Sequence, residues 1–480
     1  MDIKELLDKP DELISAIQQG YDLDVEGLLA DWDQSKHRIM WDTKRYPDRE
    51  VVIEPEKKVF DELTNSMKTI DAVKDKEEVN RLPMALEQDI VNIHTAFTVG
   101  TEPSMEFTAN DDKEQLLFET LGDVMLQNKT KYSNKGVVRS WLSECMVAEY
   151  WYIDESERFW NGVYAKHGIT GIKPNKVLKS TIWSPFRGDK LYPIFDAKGK
   201  MEAFGREYKR KDGSDDIKCM TLLDDTYIYQ FEDIDGWEMV DKAPHGFNKI
   251  PVLYAERSEP LARKIKPLRE RLEAIMSNYA DCIDYHFFPY LLLDGVVENS
   301  RGKKKSRVIE LSNGGDAKYL TWDQVPTTIK LEMDNILTQI YSLTNTPRIS
   351  FDNLQSFGKS LSGTAFKFMF MGAHMAVENH AEEIGEFFQR RVNFLVDALG
   401  IICPLFKEAS QSIMIEVDLV PYMIDNLKDR VEIAAKAIDG KVWSIQEGIL
   451  FAGNADKVLE ELEMIKEENG LDGVKEEEIE

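Results

Sequence analysis

The chain of 480 residues carries 60 Lys and Arg against 87 Asp and Glu, a formal charge of −27 at pH 7. Its 42% hydrophobic and 10% aromatic content can bury a sizeable core, which excludes wholesale disorder; at roughly 100–200 residues per domain, two to four lobes are expected. So acidic a chain is not a conventional nucleic-acid binder, which meets phosphates with a basic surface. A protein that must avoid gripping DNA stays admissible.

Residues 1–34 hold ten acids against Lys4 and Lys9, and Leu6, Leu7, Ile14, Ile17 and Leu28 predict short acidic helices there. The opening residues put Asp and Glu where a secretory signal needs a basic and then an apolar run. The most apolar stretch, Phe287–Val297, contains Pro289, Asp294 and Gly295 and is far short of the ~20 residues that span a bilayer. Cys145, Cys219, Cys282 and Cys403 are scattered, without CxxC spacing, and read as buried thiols in a reducing compartment. Together these features predict a soluble protein made in a cytoplasm.

From Arg81 to Phe97 the spacing of Leu82, Leu86, Ile90, Ile93 and Phe97 predicts a helix with Pro83 in its first turn. Helices follow over about 111–128 and 135–150. Residues 151–257 then alternate apolar and polar side chains between turns such as Lys198-Gly199 and Asp212-Gly213, the pattern of an antiparallel meander. Helical period returns with Leu261, Ile265, Leu268, Leu272, Ile275, Tyr279 and Ile283, about 28 residues or roughly 40 Å, with the regular part starting near Pro267. A small strand-bearing unit comes next. Pro326 opens a second helix striped by Ile329, Met333, Ile336, Ile340 and Leu343, which ends before Pro347. These two helices are expected to run antiparallel with the unit at their far end, and their stripes call for neighbours, namely copies of the same chain. After the loop RISFDNLQSFGKSLSG, nearly unbroken helix is predicted over 364–399, where Gly372 and Gly385 mark bends or close packing. SIMIEVDLVP reads as a lone strand. The rest is helical, with Ser444 as a cap and an acidic last helix.

No motif recommends catalysis. Gly358-Lys359-Ser360 ends like a phosphate loop, but Asn353 stands where the first glycine belongs. Ser362-Gly363 is not a nucleophile elbow, since Ser360 takes the first glycine's place. His374 and Glu378 share a helix face while His380 points away, which favours a surface salt bridge over a metal site. Phe231–Gly236 fails the calcium-loop pattern and reads as a hairpin tip. No catalytic residue, metal or cofactor is expected. Basic residues cluster against the global trend: Arg263, Lys264, Lys266, Arg269 and Arg271 along the first long helix, and Arg301, Lys303, Lys304, Lys305 and Arg307 in the small unit. Solvated faces and contact with phosphate or an acidic partner both account for them.

Gly246, Phe247, Ile250, Pro251 and Val252, followed by a long helix and then Tyr290, Leu291, Leu293 and Gly295, form an ordered series. Tyr319-Leu320-Thr321, Thr346-Pro347 and Ser362-Gly363 with Ala365 extend it, and Ile90-Val91-Asn92, Phe97, Gly100 and Pro103 precede it. Over about residues 75–470 the chain thereby resembles the portal (head–tail connector) proteins of tailed bacteriophages, of the type found in long-tailed phages of Gram-positive hosts.

The resemblance implies a predominantly helical α+β portal fold assembling as a ring with a central channel. The implied parts are a wing over 1–257 with its long helix and strand over 363–421, stem helices over 258–288 and 326–346, a clip over 289–325, a tunnel loop over 347–362 and a crown over 422–480. It further implies a homo-oligomer, typically of twelve copies, at one capsid vertex of the virion. Double-stranded DNA would pass through without sequence-specific contact. The clip, with its basic residues, would dock the terminase large subunit and then the head–tail adaptor, while major capsid and scaffold proteins meet the periphery; no membrane is involved. Arg348, Asp352, Phe357, Gly358 and Lys359 would face the DNA from the tunnel loop. Its glycines would let the loop adopt several conformations around a duplex that lacks the ring's symmetry. Two other readings stay open: a helical scaffold or adaptor that forms no ring, and an enzyme with a dispersed active site.

Overall fold

The computed structural model describes residues 6–54, 56–61, 66–171, 173–213, 215–286, 291–294, 297–303, 306–311, 316–319, 326–348, 370–422, 427–453 and 464–465. The acidic start forms two short helices, α1 (Pro10–Gln18) and α2 (Val25–Trp32). Pro10 sits at the first turn of α1, where its missing N–H costs nothing, and the Asp24 carboxylate caps α2 by accepting from Gly27 N.

Next comes an element with no counterpart in the sequence reading. Strands β1 (Arg49–Glu54), β2 (Lys57–Asp61), β3 (Ser66–Ile70) and β4 (Val73–Glu77) pair β1 with β4 and β2 with β3, two antiparallel two-stranded segments in consecutive register that make up the ribbon 49–77. Every residue of β1 and β4 is exposed. Its root is fixed. Arg81 donates to Asp48 at 2.7 Å, and the Asn80 amide donates to Asp281 and Asp284 at 2.8 and 2.7 Å.

Helix α3 (Leu86–Val99) begins five residues later than its periodicity predicts. Leu82 N donates to Ser277 Oγ and Met84 N to Glu273 Oε1, so 80–84 is held extended along a neighbouring helix and Pro83 stays outside α3. After the short β5 (Ser104–Glu106), α4 (Asp112–Gln127) opens on Asp111, whose carboxylate accepts from Glu114 N at 2.8 Å while Glu114 accepts from Asn110 N. Helix α5 (Thr130–Glu144) stops earlier than expected, at Cys145, whose φ of 65° turns the chain out of the helix. What read as the helix's last turn is strand β6 (Met146–Glu155), because its backbone pairs with a later strand.

The predicted meander is present, interrupted by a helix the alternation did not indicate, α6 (Glu157–Lys166). Strands β7 (Lys176–Trp183), β8 (Lys190–Phe195), β9 (Met201–Asp212), β10 (Asp215–Leu223), β11 (Tyr227–Asp233), β12 (Trp237–Pro244) and β13 (Val252–Glu256) divide between two antiparallel sheets. One has the order β12-β11-β10-β9-β8; the other, β13-β6-β7. Gly199 and Gly213 take the positive φ their turns require, and Gly236 lies in the β11–β12 connection, as the hairpin reading of Phe231–Gly236 anticipates. Leu13, Ile14 and Ile17 of α1 cover the five-stranded sheet by packing with Tyr192, Met220, Leu222 and Phe231.

A 3-10 turn over Leu261–Ile265 leads into α7 (Lys266–His286). The small unit holds β14 (Leu291–Asp294), β15 (Val297–Lys303), β16 (Ser306–Leu311) and β17 (Asp316–Tyr319), paired β14–β17 and β15–β16. Its polar stretch is thus largely strand. Helix α8 (Pro326–Leu343) follows, and Ile340 near its end shares a core with Ala262 and Ile265 before α7, so the two helices run antiparallel. Asn345, at φ 53°, closes α8 ahead of Pro347.

The long helix α9 (Met371–Ile402) is continuous. A side chain on Gly385 would meet nothing within 4 Å and one on Gly372 only ordinary contact with Asn345, so neither glycine is needed for a bend or a close approach. α9 carries Ile384, Phe387, Phe388 and Leu395 into the main core, against Leu117, Leu121, Trp141, Trp151 and Trp160. The strand expected to stand alone, β18 (Glu416–Asp418), pairs with β5. Helices α10 (Leu427–Asp439) and α11 (Ile445–Ala452) follow, and the Ser444 hydroxyl accepts from Glu447 N at the start of α11. The acidic last helix lies almost wholly outside the described residues.

Candidate functional site

The basic residues of the first long helix do not form a free cationic stripe. Lys266 meets Asp31 at 2.8 Å and Arg271 meets Glu332 of α8 at 2.7 Å. Lys264 faces Glu259 at 3.8 Å, and Arg263 is exposed. Arg269 is buried, which corrects any reading of it as a surface contact: its guanidinium donates to Glu87 Oε1 at 2.5 Å and to Asp31 Oδ1 at 3.3 Å. His37 Nδ1 lies 2.6 Å from Glu273 Oε1, and Arg269 Nη1 lies 3.3 Å from His37 Nε2. One buried polar cluster therefore ties the N-terminal segment and α3 to the first turns of α7. Burial pushes the Glu87 carboxyl up to about 7, against the downward pull of Arg269.

In the small unit Arg301 and Lys303 lie on β15 and Arg307 on β16, in a hairpin that registers Lys303 opposite Ser306. Lys304 and Lys305 lie outside the described residues, as do Asp352, Phe357, Gly358 and Lys359. Arg348 remains at the root of that loop, 3.7 Å from Asp334 of α8.

The loop root is held by a buried chain of side chains that the sequence reading missed. Thr344 Oγ1 donates to Ile340 O at 2.9 Å and lies 2.7 Å from Thr346 Oγ1. Thr346 Oγ1 is 3.0 Å from His94 Nε2, and His94 Nδ1 is 3.1 Å from His380 Nε2. The edge of His380 meets Trp141. Proton bookkeeping allows one direction. Thr344 spends its hydrogen on Ile340 O, so Thr346 must donate to Thr344, His94 Nε2–H to Thr346, and His380 Nε2–H to His94 Nδ1. His94, accepting at Nδ1, is then neutral, and burial keeps His380 neutral as well. Burial holds His94 down at about 4 and His380 at about 3, with the Arg257 charge adding to the effect on both. His380 is thus an inward residue paired with His94. Among the described residues, His374 is not on Glu378 but inward, its Nε2 buried without a hydrogen-bond partner and its ring against Phe97, and no cluster of metal-ligating residues occurs.

This chain of bonds gives stability a definite pH dependence. The folded values lie below an unfolded histidine's ~6.5, so the contribution is complete above that pH and is lost as pH falls toward 4, where only the unfolded chain takes up the protons. Two such groups contribute a slope of about 2–3 kcal/mol per pH unit near pH 5. Replacing His380 with Gln is expected to remove about half of it, measured as unfolding midpoints in denaturant from pH 7 to pH 4; an unchanged slope would show that these rings do not set it.

A second buried ion pair joins three elements: Arg391 of α9 donates to Glu149 Oε2 of β6 at 2.7 Å and to Asn134 Oδ1 of α5 at 2.5 Å. The sequence carried a signal for it, because Arg391 falls on the apolar stripe Ile384, Phe387, Phe388, Leu395.

An α+β body from which two antiparallel helices carry a small strand unit now stands beside a sequence comparison. The family model described as "Phage portal protein, SPP1 Gp6-like" matches residues 26–472. The chain belongs to that family of phage portal proteins. Among solved structures it is similar to a chain in the neck of an empty GTA particle, at 10% identity over 76% of this chain and 89% of that one, with a TM-score of 0.39. A chain in the virion of a native gene transfer agent (GTA) particle matches at 9% identity over 76% and 88%, with a TM-score of 0.35. No curated relative matches. Among the described residues no helix is long and apolar enough to cross a membrane.

Proposed function

We propose that this chain is the subunit of a homo-oligomeric ring, of twelve copies, set at one capsid vertex, through which double-stranded DNA is packaged and ejected. The observation that carries the reading is the portal-family match over 26–472, nearly the whole chain. The antiparallel pair α7–α8 supports it: the pair buries one face in its own chain and leaves Ile283, Leu331 and Leu343 exposed. In this reading 1–257 and 363–421 are the wing, 258–288 and 326–346 the stem, 289–325 the clip, 347–362 the tunnel loop and 422–480 the crown.

The roles follow from position. The clip, with Arg301, Lys303, Lys304, Lys305 and Arg307, docks the terminase large subunit during packaging and the head–tail adaptor afterwards. Arg348, Asp352, Phe357, Gly358 and Lys359 of the 347–362 loop reach the DNA, and the acidic chain lets phosphates slide by instead of binding them. Arg263 and Lys264, the exposed basic residues at the head of the stem, meet phosphate or an acidic partner, while Arg269 holds the stem to the body. Scaffold and major capsid proteins meet the ring's periphery.

Deleting 351–359 is expected to lower the yield of nuclease-protected DNA, or its retention in full heads, by roughly tenfold or more in a packaging reaction. Unchanged yield and retention would remove the loop from the channel.

A further inference from the structure

Both outer strands of the ribbon, β1 and β4, are exposed at every residue. Val51, Val52, Ile53, Met67 and Val73 are all exposed, Val52 at 51% and Ile53 at 60%. Two strands alone are at best marginal in water, and a ribbon with apolar side chains and free edges needs cover. Its root excludes a loose tether: Arg81, Asp48, Asn80, Asp281 and Asp284 fix where it leaves the body.

We propose that the 49–77 ribbon is an assembly arm that lies on the next copy of this chain, an inference that rests on the ring reading above. Three observations select a second copy as the occupant. First, size: β1 and β2 together hold eleven strand residues, roughly 36 Å of strand at about 3.3 Å each. With its side chains it is about 10 Å wide, so the face laid on a neighbour offers on the order of 400 Å², about half the share one partner gives to a standard stable interface, and in a ring every subunit makes the contact twice, once with its arm and once under its neighbour's. Second, complementarity: the helix pair α7–α8 leaves Ile283, Leu331 and Leu343 exposed, apolar side chains of the same chain that lie outside the arm. Third, symmetry: a contact between two unlike patches is head-to-tail, and repeated around an axis it closes a ring and not a two-fold dimer.

The test uses the full-length protein with Val52→Asp and Ile53→Asp together. Both side chains are exposed in the single chain, so the subunit should keep its circular dichroism spectrum and its secondary structure. In the assembly two carboxylates would be driven into an apolar contact, and the ring population at micromolar chain concentration is expected to fall by roughly tenfold or more, toward single chains of 55.2 kDa. A second measurement places p-benzoylphenylalanine at position 53 in rings mixed from isotopically light and heavy chains. Cross-links joining light to heavy chains are expected. A ring population unchanged by the double substitution, or cross-links within single copies only, overturns the arm while leaving the ring reading standing. A wild-type protein that forms no ring at all overturns both.

Discussion

Replacing Arg391 with Ala is expected to cost about 3–5 kcal/mol, a large part of the ~5–15 kcal/mol that holds a typical domain together. The guanidinium is fully buried, packed over Phe387 and Phe388, and faces a Glu149 carboxylate that is also without solvent. Water can reach neither partner. Truncating the arginine therefore strands an uncompensated carboxylate and the Asn134 carbonyl oxygen in the main core, between α9, β6 and α5. The buried charge, not the lost packing, carries most of the cost. The double variant Arg391→Leu, Glu149→Leu should consequently be more stable than Arg391→Ala alone, since it removes both charges and keeps apolar volume. Denaturant unfolding of wild type, the single and the double distinguishes these outcomes. A double variant as unstable as the single would put the cost in packing.

Arg269→Ala is the second large effect, about 2–4 kcal/mol, and it differs from the first in its pH dependence. Arg269 stands against Asp31, Glu87 and Glu273, with His37 alongside. Without it Glu87 loses the pull that opposes its burial, so a carboxyl already at about 7 in the folded chain moves higher still. A folded value above the unfolded ~4.5 means the protonated form is the stable one, and the penalty grows as pH rises through and past that range. The variant's deficit should be smaller at pH 5.5 than at pH 8. Hydrogen exchange should rise chiefly in 25–41 and 80–90, the segments the cluster ties to α7. Uniform exchange across the chain, or a deficit that does not change with pH, would contradict this account.

Much of the architecture is legible in the residues because local pattern and tertiary burial agree there. The stripe from Ile265 to Ile275 is the face α7 buries, Pro326 opens α8, and Ser444 caps α11. Two misreadings share one cause: a distant partner overrode local pattern. Met146–Tyr150 has helix-compatible composition, but Val252–Glu256 offers it a backbone ladder. Residues 80–84 continue the periodicity of α3, but the side chains of Ser277 and Glu273 take their amides. The outer strands of the arm showed no stripe, because β1 and β4 are exposed at every residue and have no buried side to alternate with. Arg269 and Arg391 were visible as charges on or beside apolar stripes. Their acids come from 182 and 242 residues away, a pairing that only the fold reveals. The same holds for His94 and His380, which meet across 286 residues.

The acidity noted at the outset is unevenly placed: residues 1–34 hold ten acids against two lysines, while the head of α7 is locally basic. The structure shows much of that basic charge answered within the chain, by Asp31, Glu87, Glu259 and Glu332.

The mass of the purified full-length protein in solution, by light scattering or native mass spectrometry, tests the central claim most directly. The account predicts a discrete ring of twelve 55.2 kDa chains, about 660 kDa, with an axial opening in negative-stain images. A single species of one or two chains that stays so across a hundredfold range of concentration would contradict it.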